Sequence, residues 1–222
     1  MIPKERYAAI FDMDGTLVDS TDAIWGAHNK VLERFGVHLS EEDIRPLNGN
    51  SMRDNIQIWN ERYGLQLDAK EFSQESWQYQ LERLNSMKAD EGLIGLLSHL
   101  QMVGVPMGVG TSSQRYRAEA ILDIFNLRKY FPALVTANDV DKHKPEPDVF
   151  LEVARRLNMP AERCIVFEDA ANGIDAAHRG GMKAIGYLNG HNNLVELKNA
   201  DLVIRNFSEI GHYRLRSLAY EK

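Results

Sequence analysis

The chain has 222 residues, of which 44% are hydrophobic and 26% are charged, a balance that is typical of globular proteins and excludes a disordered one. Its formal net charge of −6 comes with no basic stripe, which argues against nucleic acid as the main partner. The single cysteine, Cys164, excludes an internal disulfide and indicates a reducing compartment. No apolar run approaches the roughly 18 residues of a membrane span. We therefore expect a cytoplasmic protein without membrane association, and a monomer because no interface stripe is present.

Short apolar runs alternate with helical stretches along most of the chain. The runs that favour β-strands cover residues 7–11, 106–110, 133–136, 164–167, 183–187 and 202–204, and the clearest helical stretches between them cover 115–125, 147–157 and 170–179. Strands that alternate with helices predict a parallel sheet covered on both faces. A run such as Cys-Ile-Val-Phe is apolar throughout, as a strand buried on both faces requires. The predicted fold is α/β, with a doubly wound, Rossmann-like parallel sheet.

The stretch from about residue 20 to residue 87 breaks this alternation, because it shows helix after helix and no convincing strand. Three pairs have the spacing of helix N-terminal capping boxes or close variants: Ser40 with Asp43, Ser51 with Asp54, and Asp68 with Glu71. An insert of this length exceeds what a plain β-α-β crossover needs. We predict a helical cap domain over residues 19–87, inserted into an α/β core domain that comprises residues 1–18 and 88–222.

Polar side chains of particular kinds follow the first four predicted strands. Active sites of open α/β sheets lie beyond the carboxyl ends of the strands, so we expect these side chains to meet. In chain order they are Asp12 and Asp14, then Thr111, Ser112 and Ser113, then Lys144, then Glu168 and Asp169.

The four carboxylates predict a cation site. Asp12, Asp14, Glu168 and Asp169 are expected to converge within a few ångströms, facing only one lysine and some hydroxyl groups. Such a cluster needs a cation, and an all-oxygen ligand set of this kind favours Mg²⁺.

The remaining polar residues predict a phosphate site beside the cation. Thr111 and the backbone amides of Ser112 and Ser113 are expected at a helix start, where anions bind readily. Lys144 offers a compact positive charge for a phosphoryl oxygen. Together these groups indicate phosphoryl transfer, in which one carboxylate attacks phosphorus and a second protonates the leaving oxygen and later activates water.

These motifs resemble, in chain order, the four motifs of the haloacid dehalogenase-like hydrolase superfamily. The segments 11–20, 144–150 and 167–182 are especially similar to its β-phosphoglucomutase-like branch, which includes many sugar-phosphate phosphatases. The resemblance implies that Asp12 is the nucleophile and Asp14 the general acid and base. It also implies that Mg²⁺ is held by Asp12, Asp169 and the backbone carbonyl of Asp14, with Glu168 joining directly or through water. The implied phosphate ligands are Thr111 and Lys144.

Two departures from the mutases of that branch favour a phosphatase of small phosphorylated metabolites. The resemblance predicts a histidine at position 24 and an arginine at position 52, but the chain has Ile24 and Met52, with Arg53 one residue later. A sugar-phosphate mutase is the main alternative function. A signalling receiver module uses similar groups, but it has no use for Asp14 or for a helical insert.

Substrate recognition is assigned to the cap loop on weaker grounds. Asn48, Asn50 and Arg53 are the candidate substrate-binding residues of that loop, although Arg53 can equally be a solvated helix charge. Hexose, pentose, polyol and glycolate phosphates all stay open as substrates.

Overall fold

The computed structural model describes residues 6–47 and 50–221. Within these residues the sheet has six strands, and every neighbouring pair is parallel. The strands are β1 (Ala8–Phe11), β2 (Met107–Gly110), β3 (Ala133–Val135), β4 (Cys164–Glu168), β5 (Lys183–Tyr187) and β6 (Leu202–Ile204). Their spatial order is β3-β2-β1-β4-β5-β6, so β1 and β4 lie side by side at the centre. The predicted α/β fold with a doubly wound parallel sheet is confirmed.

Helices connect the strands and cover the sheet. They are α1 (Thr21–Leu32), α2 (Glu41–Ile44), α3 (Met52–Tyr63), α4 (Ala69–Leu84), α5 (Glu91–Met102), α6 (Arg115–Ile124), α7 (Asp148–Arg156), α8 (Ala171–Arg179) and α9 (His212–Leu218). Short 3₁₀ turns cover Glu33–Phe35, Arg45–Leu47, Arg128–Tyr130, Ala161–Arg163 and Phe207–Glu209. Each strand predicted from the sequence, and each of the three predicted helices between strands, agrees with the structure to within one residue at either end.

The capping interpretation of the insert is also confirmed. The Ser51 hydroxyl accepts a hydrogen bond from the Asp54 amide at the start of α3, and Asp68 accepts from the amides of Lys70 and Glu71 at the start of α4. Ser40 and Asp43 exchange hydrogen bonds between backbone amide and side chain at the start of α2. These bonds satisfy amides that a helix leaves without partners in its first turn.

Apolar clusters cover both faces of the central strands. The side chains of β1 alternate between the two faces, since Ala9 and Phe11 belong to one cluster and Ala8 and Ile10 to the other. Phe11 stacks on Phe167 of β4 at 4.5 Å between ring centroids. Burial on both faces holds the carboxyl ends of β1 and β4 in one fixed relation.

Helices α1 to α4 form a helical layer with a hydrophobic cluster of its own. The buried members of that cluster are Trp25, Val31, Leu32, Leu39, Leu47, Ile56, Trp59 and Phe72. The far end of α4 behaves differently, because Trp77 and Leu84 are buried in the cluster that covers the sheet. The division into domains at residues 18 and 87 stays a prediction. In the part of the chain that the structure describes, every helix is too short or too polar to cross a bilayer.

Candidate active site

Three carboxylates meet at the carboxyl ends of the two central strands. Asp12 directly follows β1, and its amide donates to the carbonyl of Phe167 on β4 at 2.9 Å. Glu168 ends β4 and Asp169 follows it. One carboxylate oxygen from each of Asp12, Glu168 and Asp169 lies within 4.8 Å of the other two. We call these three residues the acidic cluster.

Lys144 is the positive partner of the acidic cluster. Its ammonium group lies 2.5 Å from Asp12 Oδ1 and 2.7 Å from Glu168 Oε1, and its side chain is 1% exposed. Burial alone would lower the pKa of Lys144, but the two carboxylates outweigh it and raise that pKa above its usual value. Lys144 is therefore charged. It was predicted to bind phosphate, but it is not among the described residues that line the cavity, because its ammonium contacts Asp12 and Glu168 instead.

One lysine does not balance the charge of three carboxylates, two of them buried and that of Asp169 half-buried. Burial, followed by the Glu168 charge, raises the pKa of Asp12 to about 7 although Lys144 opposes the shift. Burial and the charges of Glu168 and Asp12 also raise the pKa of Asp169 well above its usual value. Hard oxygen donors with surplus negative charge are the ligands that Mg²⁺ prefers. The donor set of the acidic cluster therefore fits Mg²⁺.

Asp14 does not join the acidic cluster, contrary to the prediction that all four carboxylates converge. Its carboxylate accepts two hydrogen bonds from the Arg117 guanidinium, at 2.6 and 2.8 Å. The hydroxyls of Ser20 and Ser113 each donate to it at 2.6 Å. Burial tends to raise the pKa of Asp14, but Arg117 and the two hydroxyls bring it below the usual value. The Arg117 guanidinium and two nearby hydroxyls therefore hold this side chain, and the strand pattern in the sequence does not predict these contacts.

The phosphate loop after β2 differs from the prediction in one respect. Helix α6 begins at Arg115, whose amide donates to Asn138 Oδ1. The amides of Ser112 and Ser113 therefore precede the helix instead of starting it, and the Ser113 amide donates to Thr111 Oγ1 at 3.0 Å. Thr111, Ser112 and Ser113 all line the cavity next to Asp12, so the loop itself, without the helix terminus, faces the place predicted for phosphate.

Sequence reasoning missed the residues that orient Asp169. The Asn189 side chain donates from Nδ2 to Asp169 Oδ2 and to the carbonyl of Gly15, both at 2.9 Å. Asn192 donates to the backbone carbonyl of Asp169 at 2.7 Å. Both asparagines follow β5, the fifth strand in the chain, and polar residues directly after that strand were the available signal.

A cavity of about 210 Å³ lies between the acidic cluster and the helical layer. Asp12, Asp14 and Asp169 line one end. Its volume is below the roughly 300–1,000 Å³ of sites for drug-sized ligands. The cavity therefore suits a small molecule.

The structure describes two of the three predicted substrate-binding residues of the cap loop. Asn50 and Arg53 line the cavity, and Asn50 also accepts a hydrogen bond from Asn172 of α8 at 3.1 Å. Asn48 lies outside the described residues. His143, which directly precedes Lys144, lines the cavity as well.

Comparisons with known proteins agree with this geometry. Residues 9–187 match the family model described as haloacid dehalogenase-like hydrolase. The chain is 37% identical to the fructose-1-phosphate phosphatase YqaB of Escherichia coli over 190 residues, which cover 82% of this chain and 96% of that protein. It is 31% identical to the validoxylamine A 7'-phosphate phosphatase of Streptomyces hygroscopicus, over 91% and 94% of the two chains. The structure of β-phosphoglucomutase from Clostridium difficile shares the fold, with a TM-score of 0.85 at 23% identity over 96% and 97% of the chains.

Proposed function

Because this chain belongs to the haloacid dehalogenase-like hydrolases and is a phosphoric monoester hydrolase, we propose that it hydrolyses small phosphorylated metabolites, sugar phosphates above all, with Mg²⁺ and through an aspartyl phosphate. The observation that carries this proposal is the acidic cluster, whose buried carboxylates exceed the charge of Lys144. The names of the two phosphatase relatives support a hydroxyl-rich leaving group.

Mg²⁺ would be held by Asp12 and Asp169, with Glu168 and the backbone carbonyl of Asp14 as further ligands. Bound there, it supplies positive charge that offsets the phosphoryl oxygens and keeps the carboxylates ionised. Asn189 and Asn192 keep Asp169 in place for this role through hydrogen bonds to its side chain and its carbonyl.

Asp12 is the nucleophile of the proposed reaction. One of its carboxylate oxygens forms a bond to phosphorus while the bond from phosphorus to the ester oxygen breaks. Lys144 reduces repulsion between Asp12 and the incoming phosphate, because its ammonium is already 2.5 Å from Asp12 Oδ1. Thr111 and Ser112 line the same cavity, and their hydroxyls are proposed to bind the phosphoryl oxygens.

Asp14 moves the protons in both steps of the reaction. Its proton goes to the departing alkoxide in the first step, and in the second it accepts a proton from the water that hydrolyses the aspartyl phosphate. The ionised state that Arg117 enforces in the structure is the one required for the second step. The first step requires a protonated Asp14, so we propose that Arg117 releases one of its two hydrogen bonds when substrate enters.

The helical layer acts as a cap in this proposal. Residues 19–87 close the cavity over the acidic cluster, exclude bulk water and select the leaving group. Contacts between α4 and α6 connect the helical layer to the active site. Gln80 accepts a hydrogen bond from Arg117 at 2.9 Å, and Tyr116 donates to the Ser73 carbonyl at 3.3 Å.

Phosphate release from a panel of hexose, pentose, polyol and glycolate phosphates, with and without chelator, tests the proposal. We expect turnover that requires Mg²⁺, and its loss by at least a thousandfold in Asp12→Asn. The matched control is Asp19→Asn, because Asp19 follows in the same segment but its side chain is 61% exposed. Turnover in Asp12→Asn at the wild-type rate would contradict the nucleophile assignment, and turnover that is indifferent to chelator would contradict the metal assignment.

A sugar-phosphate mutase is the second candidate, and the cavity lining argues against it. Ile24 and Met52 both line the cavity, so apolar side chains occupy the positions at which resemblance to the mutases predicts a histidine and an arginine. A mutase releases little net phosphate and needs a bisphosphate primer. Quenched-flow measurement of phosphate release without primer therefore distinguishes the two activities.

A further inference from the structure

The end of the cavity that lies within the helical layer contains a buried histidine. His28 on α1 is 2% exposed and lines the same cavity as Asp14. Within the described ranges, neither of its ring nitrogens has a hydrogen-bond partner. Leaving such a group unpaired in the interior costs free energy, so its position calls for a ligand that supplies the missing hydrogen bonds.

The residues around His28 satisfy one another instead of the imidazole. Gln80 donates to the Ser76 hydroxyl at 3.1 Å and accepts from Arg117 at 2.9 Å. The Ser73 hydroxyl donates to the Ala69 carbonyl at 2.6 Å. Ser73, Ser76 and Gln80, which line the same cavity, thus already have partners. Among the described residues, both ring nitrogens of His28 and the indole nitrogen of neighbouring Trp59 are buried without a hydrogen-bond partner.

The surroundings of His28 indicate the kind of group it would bind. Aromatic rings flank it, with centroids of Trp25 at 5.1 Å, Phe72 at 5.4 Å and Trp59 at 5.6 Å. Burial, and secondarily the Arg117 charge, lower its pKa to about 3, so the ring is neutral at physiological pH. A neutral imidazole donates from one nitrogen and accepts at the other. It therefore suits a hydroxyl group and offers no charge to a second phosphate.

Helix α1 also sets the reach of the cavity. Thr21, Ile24, Trp25 and His28 line it, with the spacing of one helix face. From Thr21 to His28 the helix rises about 10 Å. The chain of a pentose, a hexose or a longer polyol would extend further along this helix face than a two- or three-carbon leaving group.

We propose that His28 is a specificity-determining residue that binds a hydroxyl group of a sugar or polyol monophosphate, at the end of the leaving group remote from phosphorus. The inference rests on the proposed phosphatase function and narrows its substrate class. It excludes glycolate phosphate and glycerol phosphate as the preferred substrates.

The kinetic test compares His28→Phe, which removes both nitrogens at similar size, with His28→Gln, which retains a donor and an acceptor. We expect His28→Phe to raise KM for the best sugar monophosphate at least tenfold, with His28→Gln between it and wild type. For acetyl phosphate, which has no hydroxyl group, both variants should keep kcat/KM within about twofold of wild type. The melting temperature of His28→Phe should not fall, because the variant removes a buried unpaired group. Equal losses on both substrates, or no loss on either, would overturn the proposal.

A binding measurement keeps the proposal testable whatever the activity. In full-length Asp12→Asn protein with Mg²⁺, labelled with ¹⁵N-histidine, addition of the sugar monophosphate should shift the resonances that His28→Phe removes, and addition of inorganic phosphate should not. An unshifted imidazole overturns the role of His28 even if the wild type hydrolyses sugar phosphates. If the His28 resonances shift in Asp12→Asn but the wild type hydrolyses no phosphoester, the subsite is supported and only the proposed function is refuted.

Discussion

The Arg117 guanidinium forms a two-pronged ion pair with the Asp14 carboxylate, with Nη1 2.6 Å from Oδ2 and Nη2 2.8 Å from Oδ1. Nε of the same guanidinium donates to Gln80 on α4, and the group also lies over the Trp77 ring, 5.8 Å from its centroid. Arg117 thus connects the proposed acid and base to the helical layer. Any movement of α4 changes the surroundings of the group that ionises Asp14.

Replacing Arg117 with Met should change how activity depends on pH. Without the guanidinium, burial would dominate and raise the pKa of Asp14. Less Asp14 would then be ionised as the pH falls, so the acidic limb of the kcat profile should move to higher pH by about one unit or more. Loss of one partner of a buried pair should also cost about 3 kcal/mol of stability.

Arg115→Met is the control for that experiment. Arg115 lies on the same helix, but its guanidinium pairs with Asp139 and Glu119 instead of Asp14. We expect its pH profile to match wild type, and Arg117→Lys to recover part of the activity because a lysine restores charge without the two-pronged geometry. A wild-type pH profile in Arg117→Met would contradict the role assigned to this residue.

Removal of Lys144 should make the stability of the protein depend strongly on Mg²⁺. Lys144→Met leaves Asp12 and Glu168 buried without their cation, which should cost about 3–5 kcal/mol in the metal-free protein. Added Mg²⁺ should restore a larger fraction of stability to the variant than to wild type, while phosphate release stays at least a hundredfold low. Urea unfolding with Mg²⁺ or with chelator measures this, and the exposed Lys142→Met is the control. Equal Mg²⁺ effects on wild type and Lys144→Met would contradict the prediction.

Acid should destabilise the protein partly through His28. The pKa of folded His28, about 3, lies below the ordinary histidine value of 6.5. Protonation of the unfolded chain therefore has no effect on stability above pH 6.5 and destabilises the fold increasingly as the pH falls toward 3. Between pH 7.5 and pH 5 the loss from this one group is about 2 kcal/mol, at about 1.36 kcal/mol per pKa unit. Urea unfolding at both pH values should show wild type losing that much more than His28→Phe. Parallel losses would show that the imidazole is not held neutral.

Gly15 should be required for Mg²⁺ binding because any larger side chain would overlap a metal ligand, and this effect can be separated from backbone strain. Gly15 has φ +83°, and a Cβ there would overlap the Asp169 carboxylate. Gly36 has φ +70° with open space around the corresponding position, so Gly36→Ala carries a similar strain of about 1 kcal/mol without the overlap. Calorimetric titration with Mg²⁺ should show affinity reduced at least tenfold in Gly15→Ala and unchanged in Gly36→Ala. Equal affinities in the two variants would contradict the prediction.

The sequence was sufficient to predict the acidic cluster, because parallel strands place their carboxyl ends at one edge. Asp12 and Asp169 therefore follow from strand assignment alone. The direction of the Asp14 side chain does not, since it depends on Arg117, which is distant in sequence and carries no recognisable motif. The start of α6 at Arg115 was predicted correctly, but the amides of Ser112 and Ser113 were wrongly expected to lie at that start. The Arg115 amide donates to Asn138, a residue from another loop, and no local pattern predicts this contact. Helices and strands leave a local pattern in the sequence, whereas the contacts between them do not.

The sheet order has a consequence for how the enzyme should fail on heating. Asp12 and Asp169 extend from β1 and β4, the two innermost strands, whose amides we expect to exchange with deuterium only on global unfolding. Helices α1 to α3 line part of the cavity and pack mainly around a smaller cluster, so we expect them to open while the innermost strands remain intact. Mild warming should therefore erode discrimination among phosphate esters first, leaving a promiscuous catalyst over a temperature interval before turnover itself disappears.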